Sequence, residues 1–110
     1  MTALLIAMRE DYVPKIAHYL REKFPTNDTT KRSDLEDAVR GSMDRASLWG
    51  VEVEWDFCRF AALDLLYGPG FDERCDWALR ILSNRASPAT ARVDLLESYH
   101  RNYLDRADGV

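Results

Sequence analysis

The sequence predicts an all-α fold: a compact bundle of about five helices in a single domain. Three observations lead there. Apolar residues recur at three- and four-residue steps in five separate stretches. Glycine, proline and Ser-Pro breakers separate those stretches. The one alternating segment, Val51-Glu52-Val53-Glu54, is too short for a stable strand and has no other to pair with. A chain of 110 residues is one domain and can bury a real core without disulfides or metal.

The elements follow in order. Leu5, Tyr12, Ile16, Tyr19, Leu20 and Phe24 share a helical face. Pro14 is tolerated in a first turn but not in an interior, so a helix is expected over 11–24, capped by Asp11, with a short helical lead-in at 3–9. Pro25 ends it and 26–32 form a polar loop. Ser33 and Glu36 make a capping box for a helix over 34–49, with Leu35, Val39, Met43, Ala46 and Trp49 inward. Gly50 supplies its left-handed stop. Val51 and Val53 are expected to face the core from an extended connector.

Phe57, Phe60, Ala61, Leu65 and Leu66 cover a wide face of a third helix over 54–67, which suggests burial on more than one side. Gly68-Pro69-Gly70 stops it. Asp72 is read as the cap of a fourth helix over 73–84, with Trp77, Ala78, Ile81 and Leu82 inward. Ser87 and Pro88 start a fifth over 88–106, whose inner side carries Val93, Leu95, Leu96, Tyr99 and Tyr103.

The net charge of −4 arises entirely in the second half: eight acids balance eight bases over 1–50, and eleven acids face seven bases over 51–110. Neither half is basic, which argues against nucleic-acid and anionic-membrane partners. The N-terminal apolar run is too short for a signal peptide, and Cys58 and Cys75 form no CxxC pair, so free thiols in a cytoplasmic protein are expected.

The search for chemistry finds no hydrolase elbow, phosphate loop, HExxH or calcium loop. His18 and His100 stand alone, His18 on a polar side of the first helix. Asp72 and Asp76 share a helix face, but acids at a helix start are ordinary dipole chemistry. A DNA-recognition helix beginning with Asp72, Glu73 and Asp76 would repel phosphate. No catalytic, cofactor-binding or metal-ligating residue is therefore assigned, and no cofactor is expected. Aromatics remain. Trp55 falls off the apolar stripe of its helix, and Tyr99 and Tyr103 lie one turn apart near the chain end. Half-exposed Trp and Tyr are enriched at protein interfaces, so these three are the candidate partner-binding residues.

The order of features resembles small helical accessory proteins encoded in bacterial type VI secretion effector clusters. The resemblance rests on His18-Tyr19-Leu20-Arg21-Glu22-Lys23-Phe24-Pro25, Trp49-Gly50-Val51, Arg59-Phe60, Tyr67-Gly68-Pro69-Gly70-Phe71-Asp72, Trp77-Ala78-Leu79-Arg80-Ile81-Leu82 and Arg92-Val93-Asp94. It implies a non-enzymatic co-chaperone or adaptor that binds an effector chaperone, an effector, or both. The rival from the same setting is an immunity protein that covers a toxin. A small enzyme or regulatory DNA-binding protein is the reading from another class. A helical domain this rich in aromatics can also pair with itself.

Overall fold

The computed structural model describes the backbone of residues 3–24 and 32–105, and side chains over 9–24 and 34–103. Within these limits the protein is all-α, built from α1 (Ala3–Lys23), α2 (Arg32–Leu48), α3 (Glu54–Tyr67), α4 (Phe71–Arg74), α5 (Asp76–Ser83) and α6 (Ala89–Tyr99). A π-helical segment, His100–Asp105, extends α6. The Leu5 side chain, the Pro25 stop, residues 26–31 of the expected loop and the Ser33 side chain lie outside the described residues.

The third helix is the centre. Every residue of α3 from Asp56 to Asp64 is buried. It packs against α1, α2, α4 and α6. The core is one cluster, in which Phe57, Phe60, Phe71, Leu82, Val93 and Leu96 are almost wholly enclosed. Three cross-links set α6 parallel to α3: Thr90 to Asp56, Asp94 to Arg59, and His100 to Tyr67.

Several expectations need correction. α1 is continuous through Pro14 rather than starting near Asp11. Pro14 is exposed, so the carbonyl it leaves unbonded faces solvent. An interior proline costs about 3 kcal/mol. Burial of Val13, Ile16 and Leu20 outweighs this, at roughly 1.5–3 kcal/mol for each large side chain. α2 begins at Arg32, so Ser33 lies inside the helix rather than at its cap. Val53 is 54% exposed, because the turn into α3 starts at once: the Phe57 amide already donates to its carbonyl at 3.0 Å. Leu66, beyond the stretch of α3 that is buried on all sides, and Leu95 of α6 are exposed rather than inward.

The expected fourth helix is two. Cys75 is extended, at φ −93° and ψ 117°, and separates α4 from α5. Asp72 does not cap either one. Gly70 is the N-cap of α4, in the left-handed region at φ 87°. Asp72 points inward and is 1% exposed. It accepts from Arg45 Nη1 at 2.6 Å and from Trp49 Nε1 at 3.0 Å. Arg45 also bonds Asp64, which accepts from Ser42 Oγ and, at 3.1 Å, from the Gly70 amide. One guanidinium thus fastens α2 to α3 and α4. Similarly, Pro88 rather than Ser87 is the N-cap of α6. The last helix is α-helical only to Tyr99; a single α-helix over 88–106 is not what forms.

Helix ends are closed by arginines from later in the chain. Arg85 Nη2 donates to the Leu48 carbonyl of α2 at 3.0 Å, and Arg74 Nη2 to the Tyr67 carbonyl of α3 at 3.0 Å. Arg92 Nη1 donates to the Leu82 carbonyl of α5 at 3.0 Å. These satisfy carbonyls with no intrahelical partner and place positive charge at the negative end of each dipole. Gly50 ends α2 at φ 94°, as its sequence position predicts.

Two predictions follow from these contacts. Asp72→Ala leaves the Trp49 N–H and half of the Arg45 fork unpaired. It should cost about 3 kcal/mol, lowering the thermal midpoint by on the order of 15 °C; a midpoint unchanged in a calorimetric scan would show the network to be dispensable. Gly68 sits at φ 94°, ψ 154°, and an added Cβ would lie 2.8 Å from Arg74 Nη2. Gly68→Ala should cost about 1–3 kcal/mol, whereas Gly41→Ala, with open space around the new Cβ in α2, should stabilise by up to about 1 kcal/mol. Chemical denaturation of the pair distinguishes the two effects.

Candidate functional site

The three aromatic candidates divide between two places. Trp55 stands in the first turn of α3, whose wide inner face turns it outward; it is 51% exposed. Its ring meets Tyr19 of α1 edge-on, with centroids 5.7 Å apart. Together they rim a groove between α1 and α3, lined by Lys15, Ile16, Tyr19, Glu54, Trp55 and Cys58. Ile16 and Cys58 are buried and form its floor.

Tyr99 and Tyr103 are brought together at the far end of α6, with ring centroids 4.9 Å apart. They finish a column of rings that rises from the core. Phe71 touches Trp77, and Trp77 stacks on Tyr99 at 5.0 Å with planes 8° apart. Tyr67 closes on the side of Trp77 and shares a hydrogen bond with His100 Nδ1. Tyr99 is half-buried in this column, while Tyr103 is 66% exposed. The inward position expected for Tyr103 is not what is found. Tyr103 lies in the π-helical segment beyond α6, with its ring still against Tyr99.

Because α6 runs parallel to α3, Trp55 and the tyrosines lie toward opposite ends of α3. The twelve residues from Trp55 to Tyr67 alone span about 18 Å of helix. They are two surfaces, not one.

Charge is distributed unevenly around them. On α1 and α2, Arg9 pairs with Asp44, and Arg40 with Glu10 and Asp37. His18 is exposed, as its polar surroundings predict, and pairs with Glu22 at 3.2 Å. Lys23 lies over the Tyr19 ring at 5.6 Å and its Nζ donates to the Tyr19 hydroxyl at 3.3 Å. Lys15 is exposed at the groove edge with no ion-pair partner among the described residues. Glu54 lies in the first turn of α3, where the helix dipole holds it.

The buried charges serve the fold. Arg59 bonds Asp56 and Asp94, and Asp56 also accepts from Thr90. Burial works to lower the Arg59 pKa, but these carboxylates more than offset it and hold it above the ordinary arginine value. Arg92 faces only backbone carbonyls, and burial, with Arg85 nearby, holds it below that value. Asp72, paired with Asp76 by sequence spacing, is separated from it in the fold: Asp76 is exposed at the start of α5.

Sequence reasoning anticipated that Trp55 lies off the core but missed its setting. The available signal was Lys15, Tyr19 and Lys23 at four-residue steps, one stripe of α1. Nothing local could show that this stripe would meet Trp55.

Both cysteines are free; Cys58 is buried and Cys75 half-buried. Burial pushes the Cys58 thiol up to about 11; Lys23 opposes this slightly and Glu54 adds to it. A folded pKa above the ordinary value means the thiol stays protonated at neutral pH, and any stability it contributes is lost as pH rises through that range. Maleimide labelling at pH 8 should therefore modify Cys75 well before Cys58, read by mass spectrometry of the digested protein; equal rates would contradict the burial assigned to Cys58.

No helix among the described residues is long and apolar enough to cross a membrane, and those residues hold no cluster of three or more His, Cys, Asp or Glu fit for a metal. No protein-family model, curated protein or solved structure matches this chain.

Proposed function

We propose that this chain is a non-enzymatic protein-binding accessory factor. The observation that carries the reading is Trp55: a large ring, half in water, set edge-on against Tyr19 above an apolar groove. Leaving half of that ring in water forgoes roughly half of the 1.5–3 kcal/mol that fully burying a large apolar side chain is worth, which a partner surface would recover. Tryptophan and tyrosine in such positions are the residues that most often dominate interface energy.

The kind of accessory role follows from two further points. The sequence resembles accessory proteins of type VI secretion effector clusters. The aromatic sites lie toward opposite ends of α3, which suits an adaptor holding two proteins at once, here an effector and its chaperone. We therefore favour a co-chaperone that helps load an effector. The net charge of −4 supports one rival, an immunity protein that covers the basic active site of a toxin. Regulatory DNA binding finds less support, because Glu73 and Asp76 stand exposed at the starts of α4 and α5.

Co-expression with the products of neighbouring genes separates these readings. A co-chaperone should co-purify with a chaperone–effector pair; an immunity protein should bind a toxin alone and protect cells that express it. In either complex Trp55→Ala should weaken binding about tenfold or more, and Tyr103→Ala should weaken it as well, both without lowering the thermal midpoint. Retention of full affinity by both variants would sink the reading.

A further inference from the structure

We propose that the groove between α1 and α3 receives an acidic amphipathic helix of a partner protein: one large apolar side chain enters against Ile16 and Cys58, and a flanking carboxylate pairs with Lys15. The inference rests on the protein-binding reading above and deepens it by naming the partner's chemistry. The argument is one of complementarity. The floor and rim at Ile16, Tyr19, Trp55 and Cys58 are apolar or aromatic and ask for an apolar insertion. The charge at the edge is mainly positive. Lys15 is exposed and unpaired among the described residues, whereas Arg9 and Arg40 on the adjoining α1–α2 surface are held by acids of this chain. Lys23, two turns from Lys15 on the same stripe, covers the Tyr19 ring and carries a second positive charge. The one acid lining the groove, Glu54, sits in the first turn of α3, where the helix dipole offsets part of its charge.

The rim is aromatic and carries Lys15 and Lys23 against Glu54. It favours a partner segment whose acids alternate with apolar residues at helical spacing. The overall negative charge also disfavours an anionic lipid surface as the occupant. The lysines would set orientation and association rate, and the apolar insertion would supply most of the affinity.

The test uses the full chain and a displayed library of random amphipathic helical peptides. Selection on the wild-type protein should enrich peptides in which Asp or Glu flanks a large apolar residue. Their affinity should fall about tenfold or more for Trp55→Ala and by about fivefold for Lys15→Glu. Selection on Lys15→Glu should move the preference toward Lys and Arg. Both substitutions are at exposed positions, and each variant is first checked for folding by a circular dichroism melt. No recovered binders, binders without acidic enrichment, or binding indifferent to both substitutions would overturn the proposal.

Two parallel measurements address other occupants. Co-sedimentation with phosphatidylserine vesicles that is lost in Lys15→Glu would assign the groove to lipid. A concentration-dependent dimer abolished by Trp55→Ala would assign it to a second copy of the chain. If a co-purified partner depends on Trp55 while the selection shows no acidic preference, the accessory role stands and this inference alone falls.

Discussion

Arg45, held between Asp64 and Asp72, is the interaction on which the rest of the architecture depends. Two carboxylates that are nearly inaccessible to water would be costly without it. Their placement is tolerable because every carboxylate oxygen has a donor: Ser42 and the Gly70 amide join Arg45 on Asp64, and Trp49 joins it on Asp72. The network fixes where α4 begins relative to α2. That in turn sets Phe71 against Phe60, with rings 5.0 Å apart, and starts the aromatic column that ends at Tyr103. A polar lock of this kind adds direction to a core that apolar burial alone would leave less specified.

The arginines repeat this logic at the helix ends. Helices this short leave a large share of their carbonyls unpaired. Arg74, Arg85 and Arg92 close α3, α2 and α5 from positions later in the chain, so each stop also becomes a tertiary contact. Arg85 further lies over the Trp49 ring at 5.0 Å, tying the α5–α6 turn back to the Asp72 network. The buried charge of the molecule is thereby spent on shape. The surfaces proposed for recognition lie outside this network: the Trp55 groove at one end of α3 and the Tyr99–Tyr103 pair at the other.

Much of the core was legible because helical periodicity is a local property. Leu35, Val39, Met43 and Ala46 of α2, and Phe57, Phe60 and Ala61 of α3, are buried as their spacing indicates. Val13 and Ala17 escaped notice because Pro14 between them reads as a break. Local rules failed where a distant group reassigned a residue. Asp72 has the sequence appearance of a helix cap, yet Arg45, 27 positions earlier, draws it inward. His100 has no sequence neighbour to engage it, yet Tyr67 does. The exposure of Trp55 followed from its position off the apolar stripe, while its groove required α1 to cross at Tyr19.

The sequence by itself determined that this chain is helical, where most helices lie and that Trp55 stands off the core stripe. Those properties depend on neighbours within a turn or two, and on glycines such as Gly50 and Gly68 that alone accept their backbone angles. Only the tertiary structure decided that the acids of α3 and α4 are buried and paired, that one expected helix is split at Cys75, and that the candidate aromatics form two separated surfaces. The physical reason is range. Hydrogen-bond satisfaction of a buried charge, and the parallel setting of α6 on α3, depend on groups 19 to 35 residues apart, which no short window of sequence contains.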